Sequence, residues 1–177
     1  MKVIKHQMHL FKNDWRTIAK HDGNDLKTIE GIKAWKKAYR KLQYQKQLSP
    51  FKWSNALAAA ARDHCRDIGT KGLSSHKGSD GSHLQDRMKR YGTWKNLVAE
   101  NIAFGLRTGS EYIFSLYVDD GVSSRKNRMN IVNPHLNLVG MDYCKHKKYG
   151  GSLVIVYASE QSHNSLLDKT IIMPDGQ

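Results

Sequence analysis

Acidic residues are scarce in this chain. Sixteen Asp and Glu stand against 29 Lys and Arg over 177 residues, which leaves a formal charge of +13 and a pI near 9.8. That balance favours anionic partners: acidic protein surfaces, anionic lipid headgroups or nucleic acid. Long apolar runs are also missing. No stretch approaches the roughly 18 to 20 apolar residues that cross a bilayer. The opening MKVIKHQMHLFKNDW lacks the apolar h-region of a secretory leader. Its first 13 residues are free of acid, a composition that also fits an organelle-targeting segment. Cysteine is nearly absent. Cys65 and Cys144 allow at most one internal bridge, too few for a disulfide framework and wrongly spaced for a zinc motif. Two buried free thiols are the expectation. Repeats and low-complexity tracts do not occur, and the three prolines fall at 50, 134 and 174.

What is present suits one domain with an N-terminal extension. The first 52 residues carry 13 Lys and Arg against four Asp and Glu, a surplus of +9. We read residues 1–30 as a basic extension, 31–158 as the globular domain and 159–177 as a polar tail that wraps the surface. Residues 1–24 read as irregular. From Asp25, Leu26, Ile29, Ile32, Trp35, Ala38, Tyr39 and Leu42 follow helical spacing, broken at LSPF. WSNALAAAARDHCRDIG is a helix with Ser54 or Asn55 as its cap and Gly69 as its end. Shorter helices are expected at 83–92, from Ser110, and over 123–134. LVAENIAFG reads as a strand. NLVGMDYCKH and GGSLVIVYA read as strands joined through KKYGG in a hairpin. Helices first, then a small antiparallel sheet with helices interspersed, give an α+β or α-β-α layered domain.

Five segments carry a family resemblance: LSPFKWSNALAAAARDH, SSHKGSDGS, DRMKRYGTW, AENIAFG and NIVNPHLNLVG. In that order and spacing they resemble the CAP superfamily of cysteine-rich secretory, antigen 5 and pathogenesis-related 1 proteins, in its disulfide-poor bacterial and protist branch. The resemblance implies a three-layer α-β-α sandwich with a three-stranded antiparallel sheet. It also implies a cleft with two histidines and one or two acids, and an extracellular location. The absent leader keeps an intracellular or organellar location open.

His76 matches the first cleft histidine and Glu100 the acid. The second histidine position holds Asn127, with Lys126 where a glycine is usual, and Asp119 or Asp120 loosely matches the remaining acid. The loss matters chemically. Catalytic zinc sites usually keep three protein ligands, commonly imidazole, thiolate or carboxylate. His76 and Glu100 supply two, Asn127 offers an amide oxygen, and Lys126 adds a like charge. His135 and His146 would substitute only through an unusual geometry. Zinc is therefore not expected.

Hydrolysis is not expected either. Ser74, Ser75, Ser79 and Ser82 surround His76, but no G-x-S-x-G elbow occurs, and serines in a glycine-rich loop are turn formers. A His76–Glu100 hydrogen bond that holds the loop on the sheet is the preferred reading. His6, His9, His21, His64, His83 and His163 have no motif around them and read as surface or helix residues. Trp53, Trp94 and Tyr91 read as core or loop anchors.

The reading that results is a non-enzymatic CAP domain with a degenerate cleft, used as an interaction or scaffold module. Its basic N-terminal region would meet an acidic protein surface or anionic lipid. A lipid- or sterol-binding protein is an alternative, with Tyr112, Ile113, Leu116 and Tyr117 as a candidate apolar groove. A metal-dependent hydrolase is another. Nucleic acid has only the charge in its favour, with no motif behind it.

Overall fold

A computed structural model describes residues 2–18, 25–94 and 97–159. In chain order the elements are α1 (Lys2–His9), β1 (Thr17–Ile18), β2 (Leu26–Lys27), α2 (Ile32–Gln43), β3 (Lys52–Trp53), α3 (Asn55–Lys71), α4 (Leu84–Lys89), β4 (Val98–Phe104), α5 (Gly109–Val118), α6 (Lys126–Ile131), β5 (Leu138–His146) and β6 (Gly150–Ala158). They form two compact units, one within Met1–Leu48 and Thr108–Val132, the other within Ser49–Arg107 and Asn133–Gln177.

The second unit is built on a four-stranded sheet in the order β3-β5-β6-β4. The β5–β6 hairpin and the β6–β4 pair are antiparallel, as the sequence suggests. The short strand β3 is an addition. It runs parallel to β5, with Lys52 opposite Leu138 and Trp53 opposite Val139, so the sheet is mixed. Strand β6 is central and buried from Gly151 to Ala158, which is why its sequence runs apolar instead of alternating.

Helix α3 covers one face of this sheet. Ser54 caps it, its hydroxyl accepting from the Leu57 amide at 3.4 Å. The end lies two residues beyond Gly69: the helix runs through Lys71, and Gly72 closes it in the left-handed region at φ 70°. Leu57, Ala60, Ala61, Cys65 and Ile68 pack on Leu138, Val154, Val156 and Ala158, with Met88 of α4 alongside. Each fully buried Leu, Ile or Val here contributes about 1.5 to 3 kcal/mol. Two glycines set how near the helix comes. A Cβ on Gly140 would collide with the Ala58 amide, and one on Gly69 with the Lys145 carbonyl.

Cys65 and Cys144 are not free thiols. They form a disulfide across α3 and β5, with Cα atoms 6.0 Å apart, a spacing within the usual range. This overturns the free-thiol expectation.

In the first unit, residues 2–9 are helical and not irregular. Ile4 and Met8, one turn apart, pack with Ile18, Trp35, Ala38, Tyr117 and Val118. Residues 25–31 do not extend α2. Leu26 and Lys27 pair with Ile18 and Thr17 as a two-stranded ribbon, and the helix starts at Ile32. Helix α5 begins at Gly109 behind a Thr108–Glu111 capping box. Helix α6 is confined to Lys126–Ile131. The tail read over 159–177 lies, after Ser159, outside the described residues.

Candidate functional site

Glu100 lies in the middle of β4, paired with Val156. Residues paired across a sheet share a face, so Glu100 projects to the side that α3 and α4 cover. Its side chain is only 3% exposed, and a carboxylate so placed needs partners. Arg87, on α4 and itself buried, donates from Nη2 to Oε2 at 2.7 Å. His76 donates from Nδ1 to Oε1 at 2.8 Å. The anticipated His76–Glu100 contact is thus present, and Arg87 completes it.

Arg87 does more than neutralise the acid. Its Nη1 donates to the carbonyls of His76 at 3.3 Å and Ser82 at 3.1 Å, so one guanidinium ties both ends of the loop to the sheet. Ser75 and Ser79 act as turn formers, as their glycine-rich setting suggests. The Ser75 hydroxyl accepts from the Lys77 amide at 2.9 Å, and Ser79 donates through N and Oγ to Asp67 at 2.7 and 2.6 Å. Burial raises the Asp67 pKa, but the Ser79 hydrogen bonds and Lys71 outweigh it and hold the group at about 2.

His64 is the surprise of this region. It is not a surface residue but fully buried on α3. Its Nε2 donates to the Ser75 carbonyl at 2.9 Å and sits 3.9 Å from Glu100 Oε1, while Nδ1 has no partner. Burial lowers its pKa from 6.5, against the pull of Glu100. The site in this unit is therefore His64, His76, Arg87 and Glu100.

The remaining matched residues belong to the first unit. Asp119 ends α5 in the left-handed region at φ 56°. Its Oδ1 accepts from Asn127 Nδ2 at 2.7 Å, and Oδ2 accepts from the amides of Asn127 at 2.9 Å and Arg128 at 3.3 Å. It supplies acceptors for α6, which has no side-chain cap of its own. Asp120 points to another task, accepting from the Ile29 and Glu30 amides at 2.5 and 2.8 Å. Glu30 in turn pairs with Arg125 and accepts from the Gly121 amide, which together hold its pKa at about 2.

His146 has both nitrogens engaged. Nε2 donates to the Leu73 carbonyl at 2.8 Å, and Nδ1 accepts from the Lys148 and Tyr149 amides at 3.2 Å, which shapes the hairpin turn. His135 is exposed beside Pro134. Trp94 and Tyr91 anchor loops through the Met88 carbonyl and Asp63, whereas Trp53 is 55% exposed. Tyr112, Leu116 and Tyr117 are buried, and Ile113 is exposed. His21 and His163 lie outside the described residues. Among the described residues, no helix is long and apolar enough to cross a membrane.

The family model for the cysteine-rich secretory protein (CAP) family matches residues 13–158. No curated protein matches the chain. Among solved structures, an outer surface protein from Borrelia burgdorferi is similar at 15% identity and a TM-score of 0.55, over 82% of this chain and 98% of that one. An extracellular protein containing an SCP domain from Bacillus anthracis str. Ames is similar at 20% identity and a TM-score of 0.51, over 69% of this chain and 37% of that one. At these identities the structures speak for the fold alone. The chain belongs to the CAP family and has its α+β sandwich fold.

Proposed function

We propose that this CAP domain works as an interaction module and not as an enzyme. The observation that carries the reading is the state of Glu100. Both of its oxygens are taken, one by the buried Arg87 and one by His76. A general base must reach a substrate proton, and the carboxylate fixed by a guanidinium and an imidazole reaches none. The imidazole it orients is exposed, but among the described residues no serine or cysteine hydrogen-bonds it as a nucleophile would. Asp119 is occupied in the same way by Asn127 and two amides.

Zinc, which the resemblance would bring, is a poor match to these residues. A cation at Glu100 would face the Arg87 guanidinium 2.7 Å from the ligand oxygen. Among the described residues, Cys65, Asp142 and Cys144 bring ligand atoms within 4.8 Å of one another, but the two sulfurs are bonded to each other. The disulfide also supports an oxidising compartment, outside the cytosol.

The test is metal content and turnover of protein purified without chelators, beside its native mass. We expect no stoichiometric zinc and no cation-dependent hydrolysis of ester or peptide substrates. Turnover that His76→Ala abolishes would overturn the reading.

A further inference from the structure

Helix α2 carries a feature that its own stability does not explain. Lys33, Lys36, Lys37, Arg40 and Lys41 are all exposed, and the helix has no acidic residue. At about 100° per residue these five fall within an arc of about 140°, along a stripe about 12 Å long. Ala34, Trp35 and Ala38 lie on the opposite side and are buried. The five side chains form no hydrogen bond or ion pair with a described residue. Lys37 acts on Glu30 through its field alone.

Arg40 and Lys41 lie in the last turn, where the helix dipole favours cations, but the stripe as a whole sets like charges side by side. Lys33 with Lys36, Lys33 with Lys37, Lys36 with Arg40, Lys37 with Arg40 and Lys37 with Lys41 are like-charge pairs at three- and four-residue spacing, each of them destabilising. Lys33 also sits in the first turn, where the helix dipole disfavours a cation. The N-terminus has Gly31 at the cap position and no side-chain cap to offset this.

We propose that this face of α2 docks on the surface of an anionic phospholipid bilayer. The stripe is convex, of one sign and mostly lysine, so it presents point charges to a diffuse field and few planar forks for bidentate recognition. Tyr44 follows it at the helix end and is 86% exposed, the kind of ring that sits at headgroup level. The cores of protein interfaces are depleted in lysine, and no exposed apolar residue interrupts this stripe. Nucleic-acid platforms interleave several aromatics with cations, whereas Trp35 and Tyr39 lie on the other side of the helix and Tyr44 stands alone at its end.

The proposal rests on the interaction reading and names its surface. It is tested by co-sedimentation of the full chain with vesicles of phosphatidylcholine, alone or mixed with phosphatidylglycerol. Salt is raised from about 0.1 M to about 1 M, over which the Debye length shrinks from ~10 to ~3 Å. We expect binding to the mixed vesicles only, lost at high salt. Lys36→Gln/Lys37→Gln should lower the partition roughly thirtyfold, while Lys147→Gln/Lys148→Gln on the hairpin should change it little. Glutamine keeps the helix propensity of lysine, and circular dichroism checks both variants. Equal losses in the two variants, binding to neutral vesicles, or an oligonucleotide or acidic protein that needs Lys36 and Lys37 while vesicles do not bind would each overturn it. Failure with the zinc and turnover results still negative removes the lipid surface and leaves the interaction reading standing. Turnover removes that reading whatever the vesicles do.

Discussion

Replacing Arg87 with Met isolates the interaction on which the loop depends. Methionine keeps the length and the apolar stem, so little packing is lost. What disappears is the fork that meets Glu100 Oε2 at 2.7 Å and the two loop carbonyls. Glu100 is 3% exposed at its side chain and Arg87 2%, so water cannot replace the lost partner. Removing one member of a buried pair costs about 3 to 5 kcal/mol, because the other charge is left without its counter-ion. At roughly 2 to 4 °C per kcal/mol for a chain of this size, Tm should fall by about 10 °C.

Urea unfolding of the wild type, Arg87→Met, Glu100→Gln and the double variant forms the cycle that checks this. The double variant should cost less than the sum of the singles, with a coupling of about 2 kcal/mol or more. If Arg87→Met costs less than about 1 kcal/mol, or the two changes add, the pair is solvated and the argument for Glu100 as a structural carboxylate fails.

Two further outcomes follow from the same unit. Cys65 and Cys144 close a loop with a sequence separation of 79, so Cys65→Ala/Cys144→Ala should cost about 4.5 kcal/mol by loop entropy. Alkylation before reduction should label neither thiol, and labelled thiols in the native protein would contradict the bridge. His64 titrates lower in the fold than its ordinary 6.5, so the unfolded chain takes up the proton first. The stability tied to His64 is full above pH 6.5 and declines as pH falls below it. His64→Leu should flatten that decline, read from urea midpoints across the acid side of the profile, and an unchanged slope would place the proton elsewhere.

The parts legible in the sequence were those with local causes. Ser54, the alanines and the apolar spacing specify α3. The turn residues between two apolar runs specify the β5–β6 hairpin. His76 in its Ser- and Gly-rich loop and Glu100 on its strand were visible as residues that could meet. Arg87 and His64 were not, because each sits among charged neighbours, in DRMKR and RDHCRD, where a buried side chain looks like a solvated one. Only tertiary packing separates them. Strand β3 is two residues long and pairs with residues some 86 positions away, so no local pattern marks it. That Asp119 meets Asn127 while Asp120 meets the Ile29 and Glu30 amides goes with a left-handed backbone at Asp119, which no spacing encodes. The disulfide needed the geometry of a helix laid on a strand, since two cysteines alone say nothing of their distance.

The two glycine contacts between α3 and the sheet have a consequence for any ligand. Backbone meets backbone at Gly140 and Gly69, and a covalent link lies between them at Cys65, so α3 is held close against β5 along its length. That closeness leaves no room for a guest between α3 and β5 at these points, and a substitution that widened the layer would break the contacts before it opened a chamber. A ligand of this unit must therefore be met elsewhere than between α3 and β5, as at the exposed side chain of His76.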